Sequence, residues 1–156
     1  MLLAVGRMKA GPERELYERY SRRASEIARS AGVAAFETRE IDEGRARRPE
    51  GRRAEESRDL LAQIGRDARL VVLDERGKSV SSADFAAAIG AARDAGSDYA
   101  LIVGGPDGHD PALRARAHGV IAFGGMTWPH QLARVMAAEQ LYRALTILIG
   151  HPYHRA

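Results

Sequence analysis

Apolar positions along the chain alternate between short continuous runs and helical stripes. Leu2 to Val5 is such a run and predicts a strand. After Gly11-Pro12, the residues Leu16, Tyr20, Ala24 and Ile27 recur at spacings of four, four and three, which places them on one face of a helix. Ala34 to Ile41 predicts a second strand, and Leu60, Leu61 and Ile64 mark the inner side of a second helix. From Leu70 the rhythm tightens. Strands at Leu70 to Leu73, Tyr99 to Val103 and Val120 to Phe123 alternate with helices at Asp84 to Ala95 and Ala112 to Ala117, and a long helix closes the chain. Strands this short and apolar on both faces, each followed by a helix, require parallel pairing with both sides of the sheet covered. The pattern predicts an α/β sandwich around one core, a single unit over residues 1–156, with Arg45 to Arg53 as its only disordered loop.

The last helix is predicted to start with Thr127 as N-cap and Pro129 in its first turn, where a missing N–H costs nothing. Leu132, Val135, Met136, Leu141, Tyr142, Leu145, Leu148 and Ile149 surround most of its circumference, with Glu139 and Arg143 paired on the remaining arc. One sheet cannot cover so wide an apolar surface. Either the rest of the domain wraps the helix or a second subunit packs on it; with little chain left for wrapping, an isologous dimer is expected. Beyond Gly150, a natural helix stop, His151, Tyr153, His154 and Arg155 bring four functional groups into five residues stiffened by Pro152. That density marks a candidate substrate edge, with His154 able to accept a proton and Arg155 able to hold an anion.

In parallel α/β sheets ligands bind beyond the carboxyl ends of the strands. Three consecutive strands here end in the loops LDERGK, GGPDG and FGGMTW, so these are expected to share one pocket. Their glycines permit close approach of main chain to a ligand. Neither G-x-G-x-x-G after a strand nor G-x-x-x-x-G-K-[ST] occurs, which removes the main support for NAD-type and P-loop sites.

Composition narrows the chemistry further. With no cysteine there is no disulfide, no thiolate metal site and no cysteine nucleophile, and His109, His118 and His130 lack metal-ligand spacing, so no metal is expected. No apolar stretch reaches the roughly 20 residues of a membrane span, and a cytoplasmic protein is expected. The net charge of +3 is too small to indicate a nucleic-acid partner by itself, but all basic residues except Lys9 and Lys78 are arginine. Arg45, Arg47, Arg48, Arg52, Arg53 and Arg58 form a run that reads either as a solvated loop or as a contact to RNA phosphates.

The segments LIVGGPDG, GGMTWPHQLARV and AEQLYRALTILIGHPYHRA, with LDERGKSVSSADFA between them, closely resemble the ribosomal RNA large subunit methyltransferase H family of the SPOUT superfamily, and the likeness covers essentially the whole chain. What the resemblance implies is an α/β knot: a mostly parallel sheet flanked by helices, closed by a C-terminal trefoil knot. It also implies a homodimeric, S-adenosylmethionine-dependent enzyme that methylates N3 of a pseudouridine in helix 69 of bacterial 23S rRNA on the assembled ribosome. The cofactor site it implies falls on Leu73, Gly104, Phe123, Gly124, Gly125, Met126, Thr127 and Trp128. Relatives commonly carry Leu-Ser and a small residue in place of Phe123-Gly124-Gly125, and often Leu in place of His109. Catalysis is assigned to His154, Arg155 and Tyr153, because N3–H of a uracil ring is a weak acid that needs a base or a cation beside its anion. Two other readings compete. A non-catalytic RNA-binding module would bind ribosomes without the cofactor, and a nucleotide-sensing domain would bind ATP and ignore rRNA.

Overall fold

The computed structural model describes residues 1–154. The chain runs β1 (Leu2–Val5), α1 (Pro12–Ala28), β2 (Thr38–Ile41), α2 (Pro49–Leu61), β3 (Arg69–Ser79), α3 (Ser82–Asp94), β4 (Tyr99–Val103), α4 (Pro111–Arg116), β5 (Gly119–Ala122) and α5 (His130–Leu148). The five strands form one parallel sheet in the order β2-β1-β4-β3-β5. Side chains alternate across it with the strand period of two. Leu2, Ala4, Val71, Leu101, Val103 and Ile121 face the layer of α1, α3 and α5, while Leu3, Val5, Leu70, Val72 and Ile102 face Leu60 of α2 and Leu113 of α4. Both faces are therefore covered, as the two-sidedly apolar runs require. No described helix is long and apolar enough to cross a membrane.

Several boundaries differ from the sequence expectation. Only Thr38–Ile41 of the segment Ala34 to Ile41 is strand, because β1 offers just four residues, paired from Leu2 with Thr38 to Val5 with Ile41. The buried edge of α1 is Tyr17, Ala24 and Ala28; Leu16 is 41% exposed, and Tyr20 and Ile27 pack at the flank. The stripe is turned by about one residue because the small Ala24 and Ala28 let α5 approach closely. The segment Arg45 to Arg53 is ordered. Pro49 starts α2, and the amides of Gly44, Arg45 and Ala46 donate to the carboxylates of Glu56 and Glu55.

The largest difference lies in β3, which continues past Leu73 to Ser79 through what the sequence suggested was a loop. Leu73 pairs with Ile121, the register then shifts, and Lys78 pairs with Ile121 again before Ser79 meets Ala122. Asp74 to Gly77 bulge out of the ladder at the carboxyl end of the sheet. Gly77 returns so close to β5 that a Cβ on it would lie 2.4 Å from the carbonyl carbon of Ile121.

Pro129, not Thr127, is the N-cap of α5, in an extended conformation that leads directly into His130. At the other end Gly150 has φ +65°; its amide bonds Ile147 O and that of His151 bonds Thr146 O, which is a Schellman stop. Between these ends Arg134, Val135, Ala137, Ala138, Leu141, Tyr142, Ala144, Leu145 and Thr146 are buried within the chain itself. The alanines let α1 and α3 both lie against α5, so much of the helix is covered within the chain, while Met136, Leu148 and Ile149 stay half-buried. Leu132 remains exposed near the start of α5.

Candidate cofactor cleft

At the carboxyl ends of β3, β4 and β5 lies a cleft of about 640 Å³. Asp74, Glu75 and Arg76 form one wall, Gly104 to His109 a second, and Phe123, Gly124, Met126, Thr127 and Trp128 a third. The three loops named from the sequence thus face one space. Of the eight residues to which the cofactor was assigned, Gly125 alone does not line it. Gly124 has φ +95°, a conformation that L side chains rarely adopt, and a Cβ there would meet no protein atom within 4 Å. The third wall holds its own shape: Trp128 Nε1 donates to Phe123 O at 3.1 Å, and Thr127 Oγ1 donates to Glu75 Oε2 at 3.4 Å.

Two histidines whose sequence spacing excludes a metal site brace this cleft. His109 Nε2 lies 3.0 Å from Leu73 O, and His130 Nε2 lies 3.0 Å from Val5 O. A carbonyl only accepts, so each Nε2 carries a proton and donates it. His109 is buried against Gly104, where a Cβ would stand 2.9 Å from its ring, and so fixes the ends of β3 and β4 together. Burial is the main cause that holds both imidazoles below the ordinary value of 6.5, so both are neutral at pH 7. Unfolded chains take up protons as pH falls through that ordinary value while the folded chain resists. Stability is accordingly complete above about pH 6.5 and declines as pH drops toward the folded values. Urea denaturation between about pH 8 and pH 5 should show this decline, and His109→Leu should flatten it; the same slope in the variant would show that His109 contributes nothing.

Charges around the cleft are arranged in pairs. Asp74 Oδ2 accepts from Arg114 Nη1 at 3.1 Å, and Oδ1 accepts the Arg76 amide at 3.0 Å. Burial alone would raise this carboxyl, but those two donors outweigh it and leave it below the usual range. Arg52 Nε donates to Asp107 Oδ2 at 2.6 Å, joining α2 to the Gly104–Gly108 loop. Behind the cleft, fully buried Arg134 pairs with Glu40, donates to Gly6 O at 2.9 Å and lies over the Tyr17 ring. An arginine inside the apolar stripe of α5 was visible in the sequence, yet nothing there named its partner. Among the described residues no cluster of three metal-ligating side chains occurs.

The terminal residues sit elsewhere. Tyr153 folds back along α5 so that its hydroxyl donates to Glu139 Oε1 at 3.0 Å, beside Arg143, which donates to the same oxygen. Its ring meets Tyr142 edge-on at 4.7 Å between centroids, with the Arg23 and Arg143 guanidiniums 5.2 and 5.0 Å from its centre. Burial, then Tyr20 and the Glu139 carboxylate, push the phenol well above its usual value. His154 Nδ1 is enclosed and has no hydrogen-bond partner among the described residues. Arg155 lies outside the described residues. Glu139 is nine residues along α5 from cleft-lining His130, roughly 14 Å at the helical rise, and no described tail residue lines the cleft.

A parallel sheet with a glycine-walled cleft of this size at its strand ends defines a protein that holds a small molecule. A family model described as "Predicted SPOUT methyltransferase" matches residues 1–154, and the chain belongs to that family. Proteins named "Ribosomal RNA large subunit methyltransferase H" from Brucella anthropi and Methylocella silvestris are each 53% identical to it over 156 residues, which is 99% of this chain and 98% of theirs. One from Rhodopseudomonas palustris is 50% identical over 157 residues, all of this chain and 98% of its own. The chain is therefore a methyltransferase, and the methyl donor of its family is S-adenosylmethionine. The cleft suits that donor: it offers main chain at Gly104 and Gly124, apolar surface at Leu73, Phe123 and Trp128, and carboxylates at Asp74 and Glu75.

Proposed function

We propose that this chain, as one domain over residues 1–156 with a C-terminal trefoil knot, is a homodimeric cytoplasmic enzyme. Its substrate is bacterial 23S rRNA in the assembled ribosome, and it methylates N3 of a pseudouridine in helix 69. The main support is near-full-length identity of 50–53% to proteins named for large-subunit ribosomal RNA methylation. Leu73, Gly104 and the run Phe123, Gly124, Gly125, Met126, Thr127 and Trp128 would hold S-adenosylmethionine, which supplies an electrophilic methyl group on a sulfonium. Seven of these eight positions line the cleft; Gly125 would act by shaping the loop.

The chain's own task is to deliver a nucleophilic nitrogen. His154 accepts the N3 proton, since an imidazole is the side chain in the tail that can act as a base near neutral pH. Arg155 stands beside the resulting anion on O2 or O4. Tyr153 orients the base from a ring already clamped by Tyr142 and Glu139. Because the described tail residues, His151 to His154, do not line the cleft of their own chain, the dimer acquires a function beyond covering α5: the tail of one subunit completes the cleft of the other.

Calorimetry with S-adenosylmethionine, followed by mass-spectrometric mapping of rRNA from ribosomes incubated with enzyme and cofactor, tests the reading. Cofactor uptake with a new methyl at the helix 69 pseudouridine is expected. Ribosome binding without cofactor uptake would replace it with the RNA-binding module.

A further inference from the structure

We propose that Arg45, Arg47 and Arg48 form a prebuilt ridge that docks the RNA substrate through its phosphates beside the cofactor cleft. This deepens the reading above and rests on it. All three side chains are exposed, and among the described residues none has a carboxylate within ion-pairing distance. Their backbone, by contrast, is held firmly. Gly44 N donates to Glu56 Oε1 at 2.9 Å, and Arg45 N and Ala46 N donate to Glu55 Oε2 at 2.8 and 3.1 Å. Arg52 Nη1 donates to the carbonyls of Ala46 and Arg47 at 3.2 and 3.3 Å.

Glu55 and Glu56 are thus engaged with amides, Glu50 pairs with Arg53 and Asp59 with Arg58, so none of these α2 acids forms an ion pair with the arginines of the ridge. Glu56 is buried under the cleft loop, where a Cβ on Gly105 would come within 3.3 Å of its Oε2. Arg52 and Arg53 then fasten the ridge to that loop, by Nε to Asp107 Oδ2 at 2.6 Å and by Nη1 to Asp107 O at 3.4 Å. Arg53 itself lines the cleft. A flexible basic loop would have to be ordered on binding, at the cost of its conformational freedom; this one keeps its backbone fixed and leaves only side chains to settle. Cationic side chains on a fixed backbone, contiguous with the site where the methyl group is delivered, suit a polyanion whose reacting base must be brought to that site. Arginine forks match phosphate oxygens.

The test compares Arg47→Gln/Arg48→Gln with Arg66→Gln/Arg69→Gln, which removes the same charge at the opposite end of β3. Ribosome KM is measured against salt concentration, and cofactor affinity by calorimetry. The ridge variant should raise ribosome KM at least about tenfold near physiological salt and flatten the log–log salt dependence by about 0.7–0.9 for each phosphate that it no longer neutralises. Its kcat and cofactor affinity should match wild type, and the control pair should match wild type throughout. Unchanged KM and slope in the ridge variant, or equal changes in the control pair, would overturn the ridge while leaving the methyltransferase reading intact. A wild-type enzyme that takes up cofactor but leaves ribosomes unmethylated would instead overturn the rRNA reading.

Discussion

Co-expression of two inactive variants, Gly124→Val and His154→Ala, is expected to restore about a quarter of wild-type rRNA methylation per chain. Gly124→Val puts a β-branched residue at φ +95° in the third wall of the cleft, where its strain distorts the cofactor loop and leaves the core untouched. His154→Ala removes the proposed proton acceptor, a loss of roughly 10²–10⁴ in rate. With the tail serving the partner's cleft, a mixed dimer holds one site that pairs an intact cleft with an intact tail and one in which both are damaged. Random pairing makes about half of the dimers mixed, which gives the quarter. Each variant alone should be inactive, with His154→Ala binding cofactor as wild type does. If the tail served its own cleft, neither chain of the mixed dimer would hold a complete site. Absence of recovery in doubly tagged, co-purified dimers would therefore rule out completion between subunits.

The parts of this fold most legible in the sequence are those governed by one short period. β1 and β4 are found at the residues where their apolar runs lie, and the bulge after Leu73 of β3 meets the loops after β4 and β5 because parallel strands point the same way along the sheet. Less legible were features that depend on a distant partner. The length of β2 is set by the four residues of β1, and the buried edge of α1 by where α5 approaches it. The continuation of β3 to Ser79 depends on a second pairing with Ile121, which no pattern in DERGKS announces. The same holds within the site. Gly-Gly pairs at strand ends are local signals, but the brace from His109 to Leu73 O joins residues 36 apart, and that from His130 to Val5 O residues 125 apart. The tail stands out in the sequence by its density of functional groups alone. Its station beside Glu139, Tyr142 and Arg23 follows from the Schellman turn at Gly150, which reverses the chain onto α5.

The second pairing of β3 with β5 makes Gly77→Ala the most damaging small substitution. An added Cβ would lie 2.4 Å from the carbonyl carbon of Ile121, 2.6 Å from its oxygen and 2.7 Å from its Cα, all backbone atoms that no rotamer change can move. Gly77 has no positive φ, so the cost is one of space and not of conformation. Relief requires β3 and β5 to part just where Lys78 and Ile121 pair, and overpacking of this kind costs about 3 kcal/mol or more. For a chain of this length that corresponds to a fall in Tm of roughly 6–12 °C. Gly65→Ala, where a Cβ meets no atom within 4 Å, should stay within about 0.5 kcal/mol of wild type. Because β5 runs straight into Phe123, separation of the strands also displaces the third wall of the cleft. Cofactor affinity should therefore fall in Gly77→Ala even at temperatures where the variant is folded, and remain unchanged in Gly65→Ala. Thermal melts and calorimetry on the two variants would decide the matter: equal Tm values would mean that the strands separate at no cost, and equal affinities that the Phe123–Trp128 loop is held independently of the strand that carries it.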